Sequence, residues 1–319
     1  MLVKEMKEIK VSSFAKINFS IDVTGVLENG MHLVDMMMHQ IAFHDDVTVQ
    51  YHKDSAYHNG QFDIELKTNR HYLPIDERNL AYKAAQLMIE EFGEDIPGGH
   101  IRIDIFKRIP VAAGMAGGSG NGAAVLHGLN ALWKLNLSLE ELCELGSRLG
   151  SDIPFCVMGQ ARGNFALPRK VRKDAKAVSC ARATGTGTTM EPLPSVRKIL
   201  VIAKPNIGVS TKEVYQGIDS CIIEKHPDND AMAEAIGKKD EEGFYQQCIN
   251  VLECYTLQAY PKVDELKQML LEDGRAEKVL MSGSGPTVFA VYGSFSEAKS
   301  VCSLLRKQGY EAYWTKTTK

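Results

Sequence analysis

The most constraining feature of this chain is a glycine-rich stretch in its first half. Residues 110–124 read PVAAGMAGGSGNGAA, after the alternating strand pattern Ile101–Phe106 and before an apolar helix pattern from about Ala123 to Lys134. Small residues let the backbone approach a ligand closely, and the N–H groups that open a helix favour an anion. The sequence therefore predicts a phosphate-binding loop, with the Ser119 hydroxyl as a ligand for a magnesium ion between phosphates. The alternative is glycine-mediated helix–strand packing without a ligand.

Two other phosphate motifs are weaker here. The pattern G-x-x-x-x-G-K-[ST] does not occur in the loop, whereas Gly118-x-Gly120-x-x-Ala123 matches the degenerate dinucleotide fingerprint. That fingerprint also requires an acidic residue about 20 positions later, at the end of the next strand. Glu140 and Glu141 lie near that distance but begin a predicted helix. The dinucleotide interpretation is therefore not supported.

Composition excludes several classes of protein. The 319 residues contain 37 Lys and Arg against 40 Asp and Glu, a balance that argues against nucleic-acid or membrane-surface binding by bulk charge. No apolar run approaches the roughly 18 residues of a membrane span, and residues 1–14 contain no apolar stretch of signal-peptide length. The seven cysteines are scattered without a C-x-x-C pair, which favours reduced thiols in the cytoplasm.

The order of predicted elements indicates two domains, residues 1–195 and 196–319. After the boundary come a strand at 198–203, helices within 229–272, two strands at 277–281 and 287–292, a helix at 296–307 and a strand at 310–315. This order is typical of a ferredoxin-like αβ sandwich. Residues 163–182 are rich in Lys and Arg and are predicted to be a loop insertion on the surface. The alternative for this segment is a basic patch that assists phosphate binding.

Three further motifs carry polar groups in unusual places. Lys16 and Asn18 are two positions apart in an apolar strand pattern, which puts them on one face. Asp152 follows a helix predicted from Ser138 to Gly150, where a helix cap is the commonest role of an isolated Asp. Residues 281–287 form a second glycine-rich turn between two strands.

Taken together, these motifs resemble the GHMP kinase superfamily of small-molecule kinases over nearly the whole chain. The matching segments occur in the family's order: AKIN at 15–18, NGMH at 29–32, ERNLAYKAA at 77–85, the loop at 110–119, GSDIPF at 150–155, PNIGVST at 205–211 and MSGSGPTVF at 281–289. The resemblance implies an α+β fold of two domains, a ribosomal-S5-like N-terminal domain and a ferredoxin-like C-terminal αβ sandwich. It also implies ATP and Mg²⁺ as cofactors, a small-molecule alcohol as substrate, and a monomer or weak homodimer.

The resemblance also implies roles for individual residues. Asp152 matches the family's catalytic base and Lys16 matches the lysine that pairs with it. The ATP-binding positions are Asn79 near the adenine and, around the phosphates, Pro110, Ala112, Ala113, Gly114, Met115, Ala116, Gly117, Gly118, Ser119, Gly120 and Asn121. The branch of the family that matches best acts on a tertiary alcohol carrying a cytosine nucleotide. The positions on that side are Asn18, Met31, His32, Tyr215, Ser284, Gly285 and Thr287.

The sequence departs from the family's pattern at three positions. Met31 replaces a tyrosine that stacks on the cytosine, Gly120 replaces a serine in the loop, and Thr188 replaces an acid after the basic segment. Two alternatives therefore stand beside the main hypothesis. One is a kinase of the same family with a different alcohol, and the other is a relative that binds nucleotide without turnover.

Overall fold

The computed structural model describes residues 7–319 and divides into two compact units, each built from three segments. The first unit comprises the chain up to Ala15, His44–Ile109 and Ala116–Val178. The second unit comprises Lys16–Phe43, Pro110–Met115 and Ser179–Lys319. Domain boundaries at residue 195 remain a prediction, and the first six residues of the N-terminal stretch predicted to lack a leader lie outside the described residues.

Two long strands, β1 (Lys7–Val26) and β2 (His32–Lys53), pair with each other and contribute residues to both units. The first unit adds β3 (Phe62–Thr68) and β4 (Gly99–Phe106). Strand β4 pairs antiparallel with residues 46–53 of β2 and parallel with β3. The alternation predicted for β4 is confirmed, because every second side chain along it is buried.

The helices of the first unit cover this sheet. They are α1 (Leu80–Phe92), α2 (Gly117–Trp133), α3 (Leu139–Ser147), α4 (Ile153–Gly163) and α5 (Arg169–Arg172), with a 3₁₀ turn at Gly93–Asp95. Helix α3 begins with the predicted capping box, in which Ser138 and Glu141 satisfy each other's backbone N–H groups. Helix α2 begins six residues earlier than the apolar pattern predicted, inside the glycines. Close packing accounts for the glycines in these first turns, since a Cβ at Gly117 would lie 2.9 Å from Ile109 Cγ2 and one at Gly120 would lie 2.6 Å from Ser13 Oγ.

The second unit contains an antiparallel four-stranded sheet in the order β10-β7-β9-β8. Its elements are β5 (Cys180–Gly185), β6 (Thr189–Leu193), β7 (Ile199–Lys204), α6 (Thr211–Ile218), α7 (Asn229–Lys238), α8 (Glu241–Gln247), α9 (Glu253–Ala259), α10 (Pro261–Glu272), β8 (Lys278–Met281), β9 (Val288–Tyr292), α11 (Phe295–Lys307) and β10 (Glu311–Lys316). From β7 onward this is the predicted ferredoxin-like order. Strand β5 pairs with residues 34–39 of β2 and with β6.

The prediction that residues 163–182 form a surface loop is wrong. The segment contains α5 and the first three residues of β5, and five of its apolar side chains are buried, whereas Phe165 is exposed. The buried ones are Leu167, Val171, Ala177, Cys180 and Ala181. Arg182 lies in the sheet and forms a two-pronged ion pair with Asp35, with N–O distances of 2.8 and 2.7 Å. The many Lys and Arg residues of the segment made its sequence look like an exposed loop, so the buried apolar residues between them were not recognised.

Among residues 7–319, no helix is both long enough and apolar enough to cross a membrane.

Candidate functional site

Helix α2 opens on the predicted phosphate loop. Ala116 has a left-handed backbone with φ of 54°, and no side chain caps the helix at this end. Gly118 is exposed and Ser119 half-buried, so the first turn can be approached from outside. Uncapped N–H groups together with the helix dipole attract an anion. The local geometry therefore suits a phosphate.

Two predicted loop residues face inward. A Cβ at Gly120 would lie 2.6 Å from Ser13 Oγ, so this position has no room for the serine that the family carries there. The backbone oxygen of Gly120 accepts a hydrogen bond of 2.7 Å from Gln160 Nε2. Asn121 is also buried, and its amide donates to Ser13 Oγ over 3.1 Å. Both residues hold the helix in place within the first unit.

A buried ion pair lies behind the first turn of α2. Lys107 Nζ donates to Asp45 Oδ2 over 2.5 Å and to Asn121 Oδ1 over 3.0 Å. Burial lowers the pKa of Lys107, and the carboxylate of Asp45 opposes that shift. A Cβ on Gly117 would lie 2.8 Å from the same Nζ. The sequence analysis missed this pair because neither residue belongs to a motif.

Asp152 stands at the N-cap position of α4, and Pro154 occupies its first turn. Its carboxylate makes no capping hydrogen bond to the helix, so the helix-cap interpretation of this residue is wrong. The residue is half-buried. The first unit thus carries both the loop at the start of α2 and this acid.

Lys16 and Asn18 lie in the second unit on one face of β1, as their spacing predicted, and the structure shows that they contact each other. Lys16 is 4% exposed, and its Nζ donates to Asn18 Oδ1 over 2.6 Å. Asn18 is fully buried, and its Nδ2 lies 3.3 Å from Met36 Sδ. The Lys16 backbone N–H donates to the Met115 carbonyl oxygen over 3.2 Å. The ammonium is therefore held in a defined direction within β1.

The second glycine-rich turn contacts the first part of the phosphate loop. Gly114 has φ of +68°, and a Cβ there would lie 2.2 Å from the Ser282 carbonyl oxygen. Ser282 Oγ donates to the Gly114 carbonyl oxygen over 3.0 Å, and Asn250 Nδ2 donates to the Gly283 carbonyl oxygen over 2.8 Å. The structure thus joins residues 110–115 to the turn at 282–285.

The hydroxyl groups of two predicted substrate residues in this turn, Ser284 and Thr287, differ in their hydrogen bonding. Ser284 Oγ lies 2.9 Å from Thr211 Oγ1. Thr287 Oγ1 is buried and has no hydrogen-bond partner in the part of the chain that the structure describes. Gly285 has φ of +86° and precedes a cis Pro286.

The predicted cytosine-side residues meet in the second unit. His32 and Tyr215 have ring centroids 5.3 Å apart with planes tilted by 47°. His32 Nε2 lies 2.9 Å from Asp219 Oδ1, at the end of α6. Met31 is 50% exposed, next to a turn in which Gly30 has φ of +80°. Sequence analysis missed Asp219, although it lies four residues after Tyr215 on a helix, the spacing that shares a face.

Asn79 caps helix α1 in the structure, and its place near the adenine stays a prediction. Its Oδ1 accepts the Ala81 N–H over 3.0 Å and its Nδ2 donates to the Pro74 carbonyl oxygen over 2.8 Å, so the side chain caps α1. In the basic segment, Lys176 pairs with Glu140 at 3.2 Å and Lys170 donates to the Asn136 carbonyl oxygen. Both lysines therefore pair with residues of the first unit, to which they themselves belong.

Comparison with known proteins identifies the class. Residues 79–160 match the GHMP kinases N terminal domain, and residues 228–311 match the GHMP kinases C terminal model. The chain belongs to the GHMP kinase family and is a kinase, an enzyme that transfers a phosphoryl group from ATP. The predicted α+β fold of two GHMP kinase domains is confirmed.

Several individual proteins of this family are similar to the chain over nearly its whole length. A protein of Alkaliphilus metalliredigens named 4-diphosphocytidyl-2-C-methyl-D-erythritol kinase is 40% identical over 307 residues, which cover 95% of each chain. A protein of the same name from Exiguobacterium sibiricum is 42% identical over 306 residues, which cover 96% of each. A crystal structure of 4-(cytidine 5'-diphospho)-2C-methyl-D-erythritol kinase matches with a TM-score of 0.74 and 27% identity, covering 98% of this chain and all of the other. A homoserine kinase structure from Cytophaga hutchinsonii, 18% identical, covers 100% of this chain and 97% of that chain, and its TM-score of 0.66 shows a shared fold.

Proposed function

We propose that this kinase phosphorylates the 2-hydroxyl of 4-diphosphocytidyl-2-C-methyl-D-erythritol with ATP. The observation that carries the proposal is the name shared by relatives about 40% identical over 95% of the chain. The arrangement of His32, Tyr215 and Asp219 supports it, because an aromatic ring and an oriented imidazole suit a flat heterocycle with polar edges. The contact between His32 Nε2 and Asp219 would fix the orientation of the imidazole ring.

The chemistry is proposed to use Asp152 and Lys16. Asp152 would accept the proton of the substrate hydroxyl while the hydroxyl oxygen forms a bond to the γ-phosphorus of ATP. The bond between the γ-phosphorus and the β-phosphate oxygen breaks at the same time, and ADP leaves. Its carboxylate suits this role because it does not cap α4. Lys16, held by Asn18, would stabilise the negative charge on the transferring group.

The phosphates are proposed to bind at the start of α2, and magnesium to bind with them. No cluster of three or more His, Cys, Asp or Glu that could hold a metal occurs between residues 7 and 319. The donor set therefore fits a magnesium ion held mainly by phosphate oxygens, with the Ser119 hydroxyl as the protein ligand. When bound, the ion neutralises charge on the phosphates. The proposal places the reaction in the cytoplasm, in keeping with seven cysteines that form no disulfide in the described part of the chain.

The test is an ADP-release assay with magnesium and ATP, with and without the proposed alcohol. We expect ADP release that depends on this alcohol. The variant Asp152→Asn should lose turnover by at least about a hundredfold while its ATP affinity stays within a few-fold. The control is Asp95→Asn, since Asp95 is exposed in the same unit, and it should behave as the wild type.

Two outcomes would contradict the proposal. Turnover with a different alcohol but not with this one would assign another substrate within the same family. Asp152→Asn with most of its activity would remove Asp152 from the mechanism.

A further inference from the structure

The two ends of the phosphate loop are anchored by the same carboxylate. Asp45 is fully buried, and its Oδ1 accepts the backbone N–H groups of Arg108 and Ile109 over 2.7 and 2.8 Å. These residues immediately precede Pro110, where the loop leaves the first unit. The other oxygen, Oδ2, accepts from Lys107 Nζ and, over 3.0 Å, from Asn121 Nδ2. Asn121 lies in the second turn of α2, just after the loop.

The ammonium of Lys107 completes the connection. It is shared between the Asp45 carboxylate and the Asn121 amide oxygen, at 2.5 and 3.0 Å. A Cβ on Gly117 would lie 2.8 Å from this nitrogen and 2.9 Å from Ile109 Cγ2. The first residue of α2 therefore packs directly against the ammonium and against Ile109, the residue before the loop.

The backbone of Lys107 is itself held in place. Asn69 Oδ1 accepts its N–H over 2.7 Å, and Asn69 Nδ2 donates to its carbonyl oxygen over 3.2 Å. The ion pair is thus fixed on the sheet side, and it reaches the helix through the hydrogen bonds to Asn121 and through the close approach at Gly117. A buried pair in fixed contact with two backbone segments holds them in one relative arrangement.

We propose that Asp45, Lys107 and Asn121 are positioning residues that set the direction of the N–H groups at the start of α2 toward the ATP phosphates. The inference rests on the proposed phosphate site, and none of the three residues is proposed to touch ATP. A small rotation of the first turn would misdirect several N–H groups together, whereas the adenine and ribose would be unaffected. The signature of this role is therefore a loss of affinity for phosphate-bearing ligands alone.

The test compares Asn121→Ala with Asn130→Ala in the full-length protein. Asn121→Ala cuts the connection to α2 but leaves the Asp45–Lys107 pair intact, so no charge becomes unpaired. Asn130 is the matched control: it is equally buried on the same helix, and its amide binds the backbone of Leu137 over 3.0 and 3.4 Å. Both variants should lose a similar amount of stability in urea unfolding.

Only Asn121→Ala should weaken magnesium–ATP binding, by roughly tenfold or more, with the affinity for adenosine unchanged. Binding is measured by calorimetry without any alcohol, so failure of the proposed substrate would not affect the result. Equal changes in ATP affinity for the two variants, or an equal loss for adenosine, would overturn the inference. If Asn121→Ala does not fold, Gly117→Ala, which presses on the ammonium, is measured instead with the same expected result.

Discussion

The contact between Gly114 and the turn at 282–285 makes a quantitative prediction. In Gly114→Ala, two costs add: the left-handed backbone at φ of +68° and a Cβ placed 2.2 Å from the Ser282 carbonyl oxygen. The backbone term is roughly 1–2 kcal/mol, and overpacking adds about 1–3 kcal/mol. Gly274 isolates the first term, because its φ is +70° and the nearest atom to its Cβ would be 3.9 Å away.

We therefore expect Gly114→Ala to lower the free energy of unfolding by about 1–3 kcal/mol more than Gly274→Ala does. Urea unfolding followed by circular dichroism measures both. Gly114→Ala should also raise the Michaelis constant for ATP, since relief of the clash displaces the loop, whereas Gly274→Ala should leave it unchanged. Equal destabilisation of the two variants, within about 0.5 kcal/mol, would refute the reasoning from this contact.

Three further predictions concern the substrate side, pH and the basic segment. Met31→Tyr should lower the Michaelis constant for the cytidine substrate about fivefold in the ADP-release assay, since aromatic stacking contributes roughly 1 kcal/mol; no change would show that the base lies elsewhere. Burial lowers the pKa of both His39 and His127 to about 4, so the contribution of each to stability should be complete above pH ~6.5 and should fall by roughly 3 kcal/mol toward pH ~4, where the unfolded chain binds the extra proton. Urea unfolding should show a smaller loss for His39→Gln, and an equal loss would contradict this. Deletion of residues 163–182 should abolish folding, because it removes buried side chains and part of β5; a deleted protein with native circular dichroism would disprove it.

Local signals in the sequence predicted local structure well. The capping box of α3 depends on residues three apart, and the Lys16–Asn18 contact on residues two apart in a strand. The alternation of β4 likewise follows from its own six letters. In each case the interacting groups are neighbours in the chain, so their spacing determines their geometry.

Local sequence patterns did not predict the contacts between residues that are far apart in the chain. Lys107 and Asp45 are 62 residues apart, and Asn121 and Asp45 are 76 apart, so no spacing rule connects them. The early start of α2 depends on packing that accepts only glycine at several positions. Asp219 is the exception, because its spacing from Tyr215 on a helix was available in the sequence.

The division of each unit into three segments has a consequence for synthesis on the ribosome. The first unit is complete once Val178 has been made, whereas Lys16–Phe43 belongs with a partner sequence that ends at Lys319. At about 5–20 residues per second, the early segment waits roughly 14–55 s for Lys319, and roughly 7–28 s of that wait follow the completion of the first unit. Strands β1 and β2 therefore emerge with one end able to fold at once and the other end unpartnered. During that interval a nascent chain exposes the apolar residues around Met36–Met38 that are buried in the folded protein, and exposed apolar surface of this kind makes a partly folded chain prone to aggregation.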